Sequence, residues 1–174
     1  MVKTLVIYYS RSGENYTASG IRNLEKGNTE MVVEFIREAC GADLFKLETV
    51  KEYPADYHAC TEEAKREQWD NARPELKKSL DDISSYENIV VAGPCWWGTY
   101  PMAVLTELER LKGQFDGKKV FAVMTHEGSG LGSGGRLLKR LCKGASFGEG
   151  LAIRGSEAAG SRAAVAAWAK RCGL

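Results

Sequence analysis

VKTLVIYYSRSGENYTASGIRNLEKGNTE (residues 2–30) decides how the chain is read. Residues 2–9 are almost continuously apolar and β-branched or aromatic, as in a strand covered on both faces. Ser10-Arg11-Ser12-Gly13-Glu14-Asn15 then reads as a hydroxyl- and glycine-rich loop closing that strand. Gly27-Asn28-Thr29-Glu30 reads as a second such loop, opening a helix. A phosphate site needs a strand end beside a helix start, where unpaired N–H groups meet the positive end of the helix dipole. Residues 13–26 lack apolar periodicity, so the helix starts near Asn28 and the dipole belongs to Gly27, Asn28 and Thr29. Ser10 can supply its hydroxyl from the strand end. The expectation is a site assembled from both halves, with 13–26 an excursion that forms a flap beside it. The alternative is that Asn28 or Thr29 merely caps the helix.

Outward from this stretch, strands and helices alternate. Apolar residues at 31, 32, 35, 36 and 39 make a helical stripe that ends at Gly41. ADLFKLETV (42–50) alternates as a strand should. Weaker helical patterning runs from Tyr57 to Trp69, and Pro74 stops anything longer. NIVVAGP (88–94) and KKVFAVMTH (118–126) are further buried strands, and Pro101–Lys112 is a helix with proline in its first turn. A short basic helix (Gly135–Lys143), a strand near Leu151–Arg154 and an alanine-rich helix (Glu157–Arg171) complete a (βα)5 order. This spacing predicts one α/β domain over residues 1–174, a parallel sheet with helices on both faces. Ligands of such sheets sit beyond the carboxyl ends of the strands, at a switch point, so the loops after residues 9, 94 and 126 matter most.

Composition narrows the function classes. Formal net charge is +1, which gives no strong attraction to nucleic acid or membrane. The apolar runs are too short for a membrane span, no leader cleavage site follows the first strand, and a cytoplasmic protein is expected. Five dispersed cysteines without CxxC, and only His58 and His126, argue against a disulfide framework or a metal site.

Pro94-Cys95-Trp96-Trp97-Gly98-Thr99-Tyr100-Pro101 suits a flat aromatic ligand, because an indole can stack and a glycine lets the backbone come close. One of the two tryptophans is expected to pack inward. Cys95 reads as a small apolar residue rather than a nucleophile. Thr125-His126-Glu127-Gly128-Ser129-Gly130-Leu131-Gly132-Ser133-Gly134-Gly135 contains a formal GxGxxG. A dinucleotide fingerprint is rejected, because Glu149 precedes the next strand instead of closing it. His126 and Glu127 read as a loop hydrogen-bonding pair rather than a catalytic dyad. Arg136, Lys139, Arg140 and Lys143 read as a solvated face suited to a helix C-terminus.

Taken together, TLVIYYSRSG, GNTE, PCWWGTYP and THEGSG resemble the flavodoxin family over nearly the whole chain. The resemblance implies a three-layer flavodoxin-like fold, with a five-stranded parallel sheet of order 2-1-3-4-5, and FMN as cofactor. It implies that Ser10, Asn28 and Thr29 hold the FMN phosphate, with Ser12 and Gly27 lining the site. Pro94, Trp96, Trp97, Gly98 and Thr99 would flank the isoalloxazine, with Trp97 stacked on it and Gly98 beside N5. Thr125, Glu127 and Gly128 would border the pyrimidine edge through main-chain groups. The chain departs from the family in its interrupted phosphate loop, in lacking an aromatic for the second flavin face, and in its near-neutral charge.

Two functions follow. One is an FMN redox protein passing electrons to partner proteins or a small acceptor, without a protein nucleophile. The other is an FMN-dependent NAD(P)H oxidoreductase reducing quinones or similar acceptors. A flavin-free receiver-type domain would need acids at the first strand end, where Tyr9, Ser10 and Arg11 stand.

Overall fold

The computed structural model describes residues 2–174. Strands β1 (Thr4–Tyr8), β5 (Asn88–Pro94) and β6 (Lys119–His126) form the centre of a parallel sheet. Their side chains alternate between two buried layers. Leu5, Ile7, Ile89, Val91, Val120 and Met124 join one core. Val6, Tyr8, Val90, Ala92, Phe121 and Val123 join the other. Burial on both faces is why these segments read as apolar runs.

Between β1 and β5 lie the antiparallel strands β2 (Gly13–Thr17) and β3 (Gly20–Leu24), then β4 (Asp43–Lys46). After β6 come β7 (Ser146–Phe147) and β8 (Leu151–Arg154). The main sheet has the order β4-β1-β5-β6, with β7 and β8 both parallel to β6 at successive positions. Counted as one interrupted fifth strand, they complete the expected 2-1-3-4-5 arrangement. The break at Gly148-Glu149-Gly150 has a packing cause: a Cβ at Gly148 would strike the Phe121 ring, and one at Gly150 would meet Leu131 Cδ1 at 2.7 Å. The Glu149 carbonyl accepts from Trp168 Nε1 at 2.9 Å, anchoring the interruption.

The helices are α1 (Asn28–Cys40), α2 (Tyr57–Trp69), α3 (Met102–Arg110), α4 (Gly134–Leu141), α5 (Gly155–Ala158) and α6 (Arg162–Cys172). On α1, Val32, Val33 and Ile36 are buried against the sheet, each contributing about 1.5–3 kcal/mol. Gly41 ends it in the left-handed region, its N–H reaching Arg37 O. None of the helices described is long and apolar enough to cross a membrane.

Three expectations change. Residues 13–26 are a β-hairpin, closed where Gly20 takes φ 92° after Ala18-Ser19, as an αL glycine does behind a tight turn. The strand expected over 42–50 ends at Lys46, since Thr49 turns away to pair antiparallel with Leu76. The alanine-rich helix breaks at 159–161, where Ser161 Oγ donates to Ala158 O at 2.7 Å and competes with helical bonding.

The long path from α2 to β5 is held by a buried carboxylate. Glu107 Oε1 on α3 accepts from Leu80 N at 2.6 Å, whereas its buried Oε2 has no hydrogen-bond partner. Burial pushes this carboxyl above its usual range, with the Leu80 N–H pulling back. A raised folded-state value means the stabilisation is complete below the ordinary carboxylate range and is lost as pH rises through the folded value. Glu107→Gln, which cannot ionise, therefore gains stability relative to the parent as pH rises above the ordinary carboxylate range, a gain read in urea titrations. Glu107→Ala strands the Leu80 N–H and costs about 1–3 kcal/mol in the same assay.

Candidate functional site

The switch between β1 and β5 opens a cleft at the carboxyl edge of the sheet. At one end stands α1, whose first N–H groups have no intrahelical partner. Its N-cap residue, Gly27, has no side chain to cap with, and Ser10 performs that role from the end of β1: its Oγ accepts from Glu30 N at 3.1 Å. Gly27 must be glycine for this to happen, because a Cβ would collide with Ser10 Oγ and the Arg11 carbonyl. The hydroxyl of Thr29 is turned inward onto Thr125 Oγ1 at 2.7 Å, joining α1 to the end of β6. Asn28 and Glu127 meet at the start of α5, where a Cβ on Gly155 would strike both side chains. Burial raises the Glu127 carboxyl and Arg154 pulls it back.

Arg11 is fixed across the mouth. Its Nε donates to Glu14 O at 2.9 Å, and its Nη2 to Pro54 O and Ala55 O at 3.0 and 3.1 Å. The hairpin is fastened to α2 in turn. Glu14 Oε2 accepts from Tyr57 N at 2.7 Å, while Asp56 caps the same helix through Ala59 N at 2.8 Å. Hairpin and α2 therefore form one wall.

The opposite wall is a tight turn. Trp96 and Thr99 exchange backbone hydrogen bonds, and both central residues have positive φ, Trp97 at 51° and Gly98 at 84°, the pattern of a type I′ turn. Holding a tryptophan there costs on the order of 1–3 kcal/mol, and contacts to α2 oppose that cost. Trp97 Nε1 donates to Thr61 O at 2.9 Å, and Lys65 Nζ lies 5.0 Å from the indole centroid. Trp96 packs inward, edge-on to Tyr9 and Tyr53 at 5.2 and 5.1 Å. The Gly98 carbonyl accepts from both Ser133 N (2.8 Å) and Ser133 Oγ (3.1 Å). Gly132 lies so close to that carbonyl that a Cβ would clash with it.

Two adjoining hollows fill the cleft. One, of about 150 Å³, is lined by Asn28, Thr29, Pro94, Trp96, Thr125 and Glu127 together with Arg11, Asn15, Tyr16, Tyr57, Cys95 and His126. The other, of about 330 Å³, lies between Trp96, Trp97 and Cys95 and the Tyr57–Ala64 face of α2. Arg11, Asn15 and Tyr57 border both. Ser10 and Ser12 open instead onto a separate polar hollow beside Lys46 and Lys77. Gly27, Gly98, Thr99 and Gly128 act through backbone shape rather than as lining of either hollow. Burial pushes the Cys95 thiol up, away from reactivity. His126 Nδ1 accepts from Gly128 N at 3.0 Å rather than pairing with Glu127, and burial lowers its pKa.

Sequence reading missed Arg11, Asn15, Tyr57, Ser133 and Gly155. The Asp56 cap ahead of the weakly patterned α2 was an available local signal for Tyr57. Ser133 and Gly155 act through contacts distant in sequence and left none.

A helix N-terminus facing an aromatic-walled cleft across a 2-1-3-4-5 sheet defines a nucleotide-type cofactor domain of the doubly wound class. The family model for flavodoxin matches residues 3–172, and the chain belongs to that family. Among solved structures it is similar to a candidate flavoprotein from Bacteroides uniformis, at 26% identity and TM-score 0.74 over 97% of this chain and 98% of that one. It is also similar to a flavoprotein in complex with FMN from Lactobacillus acidophilus, at 21% identity and TM-score 0.66 over 90% and 96%. At 13% identity and TM-score 0.52, over 95% of this chain and 87% of the other, the fold is shared with an NADH:FMN oxidoreductase. A search of the curated proteins finds no match.

Gly27→Ala is expected to cost about 1–3 kcal/mol through overpacking, and Ser10→Ala about 1 kcal/mol through the lost cap. Thermal melts check both. A G27A variant melting with the parent would mean that the strand end and helix start are not held in contact.

Proposed function

We propose that the cleft binds FMN and that the chain works in electron transfer. The observation that carries this reading is a cleft that runs from the open N–H groups of the α1 N-terminus at one end, past Arg11 and Trp96, to Trp97 at the other. An anion suits the first end and a flat aromatic ring the second. The phosphate is assigned to the N–H groups of Asn28 and Thr29 with Arg11, and the ring to the Pro94–Thr99 turn. Thr125, Glu127 and Gly128 border it from β6. Ser10 and Gly27 serve by shaping the helix start, and Ser12 is left at the rim. Bound there, the flavin supplies the redox chemistry; the chain positions it and limits its contact with water. The FMN-containing neighbour and the family support this reading. The five free thiols fit a reducing, cytoplasmic setting.

A second reading, direct reduction of quinone-like acceptors by NAD(P)H, is favoured by the formal charge of only +1, which offers little long-range steering to protein partners. The deciding experiment is a visible spectrum after FMN is added and the excess removed, followed by stepwise reduction. Retained flavin that takes up electrons one at a time supports the carrier. Retained flavin bleached in one step by NAD(P)H supports the reductase. No retained flavin and unchanged tryptophan fluorescence overturn both.

Two variants test the assignment of ends. Arg11→Gln is expected to weaken FMN roughly tenfold while leaving riboflavin, which lacks the phosphate, nearly unaffected. Replacing residues 13–26 by a short glycine linker removes Asn15 and Tyr16 from the wall. It should weaken FMN by about tenfold or more with the circular dichroism of the helices retained. Unchanged affinity would show that the hairpin is no part of the site.

A further inference from the structure

The chain has nearly equal numbers of acids and bases, yet they are unevenly placed. No acidic residue occurs between Glu127 and Glu149. Within that span, Arg136, Lys139 and Arg140 on α4, and Lys143 just past its end, repeat at i, i+3, i+4 and i+7. The three on α4 therefore share one helix face. All are exposed, whereas Leu138 and Cys142 are buried behind them. Among the described residues, none of these cations makes an ion pair or a side-chain hydrogen bond. Glu109 on α3, whose carboxyl is lowered by Arg73 and to a lesser degree by Arg140, is held by a two-pronged contact from Arg73 at 2.7 and 2.9 Å. Asp116 lies beyond the far end of the stripe, packed against Gly144.

This face touches the proposed cofactor site. Ser133, the N-cap of α4, holds the Gly98 carbonyl, and Gly98 follows Trp97. Trp97 is 49% exposed and Trp69, at the end of α2, is 89% exposed. Lys65 lies over the first and one helical turn before the second, and Gln68 Nε2 donates to Trp97 O at 3.3 Å. Exposed tryptophan and arginine are enriched in protein-docking surfaces; Trp97 lines the cleft, and Trp69 ends α2 one turn beyond Lys65.

We infer that the cationic face of α4, continued through Ser133 and Gly98 to Trp97, Lys65 and Trp69, docks an acidic protein. Resting on the electron-transfer reading above, that protein is its redox partner. The unpaired cations steer an acidic surface toward the cleft, and the tryptophans supply the short-range contact. Charge complementarity selects a protein of opposite sign despite the near-zero net charge of the whole chain, because local clusters act within about a Debye length, roughly 10 Å at 0.1 M salt.

The test uses an acidic [2Fe–2S] ferredoxin as probe and a basic c-type cytochrome as the opposite-charge control. Each is titrated into the isotopically labelled full chain, with and without FMN. Amide shift changes should localise to residues 65–69, 97–99 and 133–143 with the ferredoxin only. Affinity should fall roughly tenfold or more when salt is raised from about 20 to about 200 mM. The triple variant Arg136→Glu, Lys139→Glu, Arg140→Glu should weaken ferredoxin binding by about tenfold at low salt while melting with the parent. Trp69→Ala should weaken it at all salt concentrations. Equal binding of both probes, salt-independent binding, shift changes elsewhere, or an unaffected triple variant overturns the inference. The flavin-free titration separates this failure from that of the FMN reading, since docking does not require the cofactor.

Discussion

The carboxyl edge of the sheet depends on how closely the backbone of Gly27 passes Ser10 and Arg11. A parallel strand and its following helix are ordinarily joined by a few residues, which bring strand end and helix start together by connectivity alone. Here a whole hairpin is inserted between them, so the junction must be made by packing. The absence of a side chain on Gly27 lets the two backbones touch. It also lets a serine from the strand cap a helix that begins far along the chain. Once that contact is made, the hairpin is forced outward at its base. Arg11 is carried over the mouth, and the open N–H groups of α1 face the cleft.

The hairpin is useful only because something holds its far side. Glu14 and Asp56 together cap α2, so the helix N-terminus anchors the hairpin and the hairpin orients the helix. Acidic side chains at a helix N-terminus are stabilised by its dipole. An inserted element thereby becomes a wall. The opposite wall is built on the same economy of backbone: a turn with two positive φ values, closed by Ser133 and approached by Gly132. Both walls bear on α2, through Glu14 on one side and Thr61 and Lys65 on the other.

This dependence on distant contacts explains what could be read from the sequence. β1, β5 and β6 were legible because burial on both faces demands unbroken apolar runs, and α1 because its stripe is regular and ends at Gly41. Those elements place the three functional loops, so the location of the cleft followed. The hairpin was not legible: β2 and β3 are only partly covered on either face, which leaves neither a run nor a clean alternation. The fifth strand is split by the bulk of Phe121 and Leu131, residues remote from Gly148 and Gly150 in sequence. Ser12, expected to line the site, opens onto a separate hollow, and Arg11 borders the cleft, for a similar reason. Which of two neighbours faces the cleft is set by the carbonyls of Pro54 and Ala55, not by the loop itself.

The same logic bears on how the site is used. Thr29 is paired to Thr125, and Ser10 accepts from Glu30 N while its own O–H remains free to donate, so the framework holds both hydroxyls in place. Groups held in place by other bonds lose little freedom when a ligand binds. Further along the edge Trp97 is tied to Thr61 and Gln68, whereas Arg136, Lys139 and Arg140 of α4 have no ion-pair or hydrogen-bond partner among the described residues. On the readings proposed above the two sets of groups have separate tasks: the bonded framework positions the small ligand, and the unpaired cations of α4 meet a second macromolecule.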